Sequence, residues 1–183
     1  MALPGPKSVR EVVVERLANW LETMEQGVPA ADPYEFSPDL VTRQRLGERE
    51  RGAGKQLALG VIEEEEVKVA GAGIGNFQAQ LRVTIEWFSA YLAGADDDPS
   101  EVNNRILANL QRRVLENRTL EVVVGDGSGV ATVLRETGNS MDIDDYADRQ
   151  IGGALFLLVQ YKHDELDPRR RIPGADFLDD PNP

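Results

Sequence analysis

Apolar residues recur along this chain in two periods, and the switches between them mark out its elements. Val9, Val12, Val13, Leu17, Trp20, Leu21 and Met24 form one stripe at helical spacing. Ser8 precedes that stripe and Glu11 lies three residues on, the pattern of a capping box, while Gly27 and Pro29 close the segment. From Leu57 the period drops to two. Leu57 to Ile62, continued through Val67 and Val69, makes one strand. Phe77 to Phe88 makes the next, with Leu81, Val83, Ile85 and Trp87 alternating against Arg82, Thr84 and Glu86. Joined by the glycine turn at 70–75, residues 56–88 predict a long antiparallel hairpin. Asp98, Pro99 and Glu101 start a second helix as N-cap, N1 and N3. Its stripe is Val102, Ile106, Leu110 and Val114, widened by Leu107 and Leu115, with Arg105, Arg112 and Arg113 off it. Residues 120–124 predict a strand, 125–129 a turn, 130–135 a returning strand, and 141–148 an acidic connector. The final strand, 152–163, is apolar on both faces at its centre. Leu155, Leu157, Val159 and Tyr161 share one face, and Phe156 and Leu158 the other, so cover is expected on both sides, from the chain's own helices or from another chain.

This order predicts an α+β fold: an antiparallel sheet of four to five strands with two helices packed on one face, in a single domain over 1–164. Two segments fall outside the periodic pattern. Residues 25–55 hold Gly27, Pro29, Pro33, Pro38, Gly47, Gly52 and Gly54 and few large apolar groups. A structureless stretch of about 30 residues is uncommon inside a compact domain. It reads as an extended arm, with Tyr34, Phe36 and Leu40 as anchors on a neighbouring subunit, or as a surface loop. Arg43, Arg45, Arg49 and Arg51, in its mixed-charge run, are candidate intersubunit contacts beside them. Residues 165–183, charged and broken by proline, read as an extended or disordered C-terminal tail.

The length of 183 residues suits one domain with extensions. The chain has no cysteine, which removes disulfides and thiolate metal sites. No apolar run approaches the roughly 20 residues of a membrane span, and the first residues lack the hydrophobic core of a signal peptide. Net charge is −12 and uneven. Residues 1–55 hold 8 basic and 9 acidic groups, 56–100 hold 2 and 8, and 101–183 hold 10 and 15. Such a surface repels a phosphate backbone and argues against tight DNA binding. Glu63, Glu64, Glu65 and Glu66 sit within a strand pattern, which places charge on both faces and suggests a segment projecting beyond the core. They are candidates for an acidic channel lining or docking surface, for a divalent-ion site, or for a solubilised edge.

Sequence signals for catalysis fail one by one. Gly71, Gly73 and Gly75 resemble a dinucleotide glycine loop, but a strand pattern follows where that loop needs a helix. Asp142, Asp144, Asp145 and Asp148 suggest a calcium loop, but Ala147 and Gly153 stand where an EF-hand needs Gly and Glu. His163 is the sole histidine, and its neighbour Asp164 points to the other face of the strand. Arg169, Arg170 and Arg171 are too few amid so many acids to make a nucleic-acid arm. No enzyme activity, metal or cofactor is expected.

The N-terminal helix after Ser8, the arm 25–55, the hairpin 56–88, the Asp98-capped helix and the closing strand 156–163 with Asp167 and Pro168 after it together resemble the tail terminator, or tail completion, proteins of long-tailed bacteriophages. The resemblance covers nearly the whole chain and is one of architecture. It implies a virion protein that assembles in the host cytoplasm as a homo-hexameric ring. The ring caps the tail tube, stops its polymerisation and presents the tail to neck or head-completion proteins, with DNA passing unbound through the lumen and no membrane involved. Another neck or head–tail joining component, or a small non-catalytic binding module, is the alternative.

Overall fold

The computed structural model describes residues 7–47, 57–70, 76–90, 98–125, 127–144 and 150–164. Within them the chain runs α1 (Val9–Glu22), β1 (Leu40–Thr42), β2 (Ala58–Ala70), β3 (Asn76–Ala90), α2 (Pro99–Glu116), β4 (Val133–Asp144) and β5 (Gln150–Asp164). The strands form one sheet in the order β1-β2-β3-β5-β4. Every pairing is antiparallel except that β1 runs parallel to the start of β2. The α+β class agrees with the sequence pattern, whereas the sheet is mixed because β1 arises within the segment read as an arm. The glycine turn at 71–75, part of the arm at 48–56, the end of the acidic connector at 145–149 and the tail 165–183 lie outside the described residues.

Both helices begin where their capping residues predict. The Ser8 hydroxyl accepts from the Glu11 amide at 3.2 Å, and the Asp98 carboxylate accepts from the Ser100 amide at 2.8 Å, each satisfying a donor that the first helical turn leaves open. Both pack on one side of the sheet. Val13, Val14, Leu17 and Leu21 of α1, and Ile106, Leu110 and Val114 of α2, meet Leu59 and Val61 of β2, Leu81, Val83 and Ile85 of β3, and Leu155, Leu157 and Val159 of β5 in one core. These strand residues are cross-strand partners: Ile85 faces Leu155, Val83 faces Leu157 and Leu81 faces Val159.

Two polar devices fix the helices to this core. Asn103 of α2 is fully buried. Its side chain accepts from the Trp87 indole at 2.7 Å and donates to the Gly152 carbonyl at 2.9 Å, so one amide ties α2 to both central strands. Arg113, although off the apolar stripe, is also buried. Its guanidinium lies 3.5 Å from the centre of the Trp20 ring and donates to the Trp20 carbonyl at 2.9 Å, while the Trp20 indole donates back to the Arg113 carbonyl at 2.7 Å. The pair locks α1 against α2 with stacking and reciprocal hydrogen bonds.

The hairpin expected at 120–135 does not form. Residues 120–125 and 127–130 are irregular, and β4 runs instead on through Met141 to Asp144, part of the stretch read as a connector. Leu120 adopts a positive φ of 54°, which ends any strand there, and Val122, Val123 and Val124 form an apolar run without alternation. The polar β4 holds its place through its ladder with β5, and the bulge between Glu136 and Gly138 further blurs its period.

Trp87 lies over Gly153, where a Cβ would overlap both the indole ring and the Ser140 carbonyl oxygen. Trp87→Ala is expected to cost about 3–5 kcal/mol in urea unfolding. A loss below about 0.5 kcal/mol would contradict this packing. Gly153→Ala is expected to lower the urea midpoint as well.

Candidate interaction surface

The second face of the sheet is covered only at one end. After β1 the chain crosses above the first residues of β2, where the Gln44 carbonyl passes so close to Gly60 that a Cβ there would sit 2.7 Å from it. Leu46 and Leu40 pack on Ala58 and Phe88 beneath the crossing. Arg45 donates to the Glu86 carboxylate at 2.7 Å and the Leu46 amide donates to the same carboxylate at 3.3 Å.

Beyond this strap lies an uncovered groove of about 430 Å³, with Val67, Phe156 and Leu158 as its apolar floor and Glu64, Arg82 and Thr84 among its polar walls. Phe156 is 38% exposed and Val67 46%. The expectation of cover on both faces of β5 is thus met by the helices on one face and left unmet by this chain on the other. Val67 of β2 with Phe156 and Leu158 of β5 make this groove the candidate interaction surface.

The four glutamates beside the groove remain inside the sheet and do not project from it. A bulge between Glu63 and Glu66 sets two residues of β2 against one of β3. Glu63 and Glu66 therefore both point to the helical side, opposite Val83 and Leu81. Glu64 and Glu65 both point to the open side. All four carboxylates have partners. Glu63 accepts from Arg10 at 2.7 Å and lies 3.8 Å from Arg43. Glu64 accepts from the Thr84 hydroxyl at 2.6 Å, and Glu65 lies 3.9 Å from Arg82. Glu66 accepts from the Tyr161 hydroxyl and lies 3.5 Å from Lys68. Burial, then the hydrogen bond to Glu66, push the Tyr161 phenol well above its usual pKa, and the hydrogen bond to Glu63 holds Arg10 above its own. Arg10 also donates to the Glu64 carbonyl at 3.0 Å, covering the outer edge of β2.

Of the residues read as contacts with a neighbour, Tyr34 is corrected by its burial, and the other described ones have contacts within their own chain. Tyr34 is 3% exposed within its own chain, its hydroxyl donating to Glu116 and its ring under the Arg112 guanidinium at 3.9 Å. Phe36 packs against the main core, and Leu40 against the small cluster under the strap. Arg43 and Arg45 pair with Glu63 and Glu86 of their own chain. Arg49 and Arg51 lie outside the described residues. The arm up to residue 47 therefore packs on its own chain, Tyr34 against α2 and Leu46 on the open face of the sheet. Phe156 and Leu158, which line the groove with Val67, are signalled in the sequence by the two-faced apolar pattern of β5.

His163 is buried at the end of β5 between Phe77 and Tyr161, with ring centroids 6.0 and 6.2 Å away. Among the described residues no group of three or more His, Asp or Glu side chains could hold a metal ion, and no helix is long and apolar enough to cross a membrane. No family model and no curated protein matches the chain.

The Tyr161 phenol yields a pH dependence. Its folded pKa lies above the ordinary value of 10.0, so the unfolded chain loses this proton first as pH rises. The stabilisation is complete below about pH 10 and declines above it. Urea unfolding of the native chain is expected to show stability falling as pH rises above about 10. Tyr161→Phe is expected to flatten that decline, and an equal decline in the variant would refute the assignment.

Proposed function

We propose that this chain is a structural virion protein, a ring-forming tail terminator of a long-tailed bacteriophage. In this reading it caps the tail tube, halts its polymerisation, and joins the tail to neck or head-completion proteins while DNA passes through the lumen. The observation that carries the reading is a sheet with helices on one face and, on the other, an uncovered apolar groove beside an acidic strand. An isolated domain gains nothing from leaving such a face in water, whereas an assembling subunit buries it. The order of helix, strap, long hairpin, capped helix and closing strand supports the same reading. A net charge of −12 repeated around a ring would keep DNA from adhering to the channel wall.

Light scattering on the purified chain, alone and with tail tubes, tests this. A hexamer-sized species, or one that forms only at a tube end, is expected. A monomer that ignores tubes would remove the terminator reading in favour of a small non-catalytic binding module.

A further inference from the structure

We propose that the loop after α2 is a docking tip, and that its Val122, Val123 and Val124 seat in the open-face groove of a second copy of this chain. The three valines are consecutive and 66%, 64% and 54% exposed. A single exposed valine is ordinary; three in a row on one loop form a patch that water disfavours.

The loop is braced rather than loose. The Asn117 side chain accepts from the Glu121 amide at 2.8 Å and donates to the Glu121 carbonyl at 2.9 Å. The Glu121 carboxylate accepts in turn from the amides of Gly125 and Gly127, both at positive φ. The Ser128 hydroxyl accepts from the Val122 amide at 2.9 Å. Arg16 of α1 donates to the carbonyls of both Leu120 and Ser128, pinning the two ends of the loop to the helical layer. A tip held in this way loses little conformational entropy on binding, which favours contact over continued exposure.

The partner surface is present on the same chain, beyond its own reach. The tip belongs to the helical layer, and the groove opens on the other side of the sheet. The pairing is therefore between copies, head to tail, the kind of contact that closes a ring. The groove offers an apolar floor in Val67, Phe156 and Leu158 to branched apolar side chains. Charges match at the margin: Glu64 and Glu65 outnumber Arg82 at the groove, and Arg118 is exposed at the base of the tip. Between copies that each carry −12, such local complementarity offsets the general repulsion.

This inference rests on the ring reading for its purpose, but the contact itself needs no tail tube. Two variants test it by sedimentation, each first confirmed as folded by circular dichroism: Val123→Asp disables the tip, and Phe156→Asp the groove. Each alone is expected to weaken self-association by at least about tenfold. Mixed in equal amounts they are expected to form a dimer and nothing larger, because one intact tip meets one intact groove. Where Phe156→Asp does not fold, Val67→Asp on the same floor replaces it. No dimer from two folded variants, wild-type association by Val123→Asp alone, or a wild-type chain still monomeric at about 1 mM would overturn the proposal. A native chain that pairs in this way yet ignores tail tubes would remove the terminator reading and leave the docking contact standing. Tube capping unaffected by Val123→Asp would do the reverse.

Discussion

The ladder between β3 and β5 is the constraint on which the rest of the structure depends. It runs in unbroken register from Asn76 opposite Asp164 to Ala90 opposite Gln150. Fifteen residues of strand reach about 50 Å, whereas the 18 residues of α2 reach about 27 Å and the 14 of α1 about 21 Å. The helical layer is therefore shorter than the sheet it covers. Asn103 and Trp87 anchor α2 toward one end of the ladder, the end at which the strap crosses the opposite face. On that opposite face the strap covers only this end, and beyond it Val67, Val69 and Phe156 stay exposed.

What could be read from the residues follows from how local each element's cause is. The helices rest on caps and stripes within a few residues of themselves, and Ser8 and Asp98 start them as their chemistry requires. β3 alternates strongly because one of its faces is fully buried, and β5 announces itself by a continuous apolar run at its centre. β1 carries no such mark: three residues are ordered by pairing with β2 and by Asp39, whose carboxylate accepts from the Leu57 amide. β4 alternates weakly because it is an edge strand with a bulge, and its partner supplies the order that its own sequence lacks.

The candidate surface was legible in its ingredients and not in its assembly. The apolar second face of β5 was visible, but which end of it the chain would cover depends on Gln44 passing over Gly60, a contact no periodicity announces. Tyr34 looked free to reach outward because nothing nearby in sequence could bury it. Its partners, Arg112 and Glu116, lie about eighty residues away on another helix. Val122 to Val124 read as strand because β-branched residues favour strands, and the Asn117 side chain that competes for the backbone at Glu121 gives no sign of its role in composition.

The bulge in β2 has a consequence for how this surface can change over generations. Strict alternation would allow one carboxylate on the open face between Ile62 and Val67; the extra residue places two there, Glu64 and Glu65, side by side. Losing one of them heals the ladder without moving Val67, Val69 or the helix-facing Glu66. Losing a second would turn the whole distal strand over. The segment can thus vary its length by one residue and its charge by one unit while the apolar floor beside it stays in place.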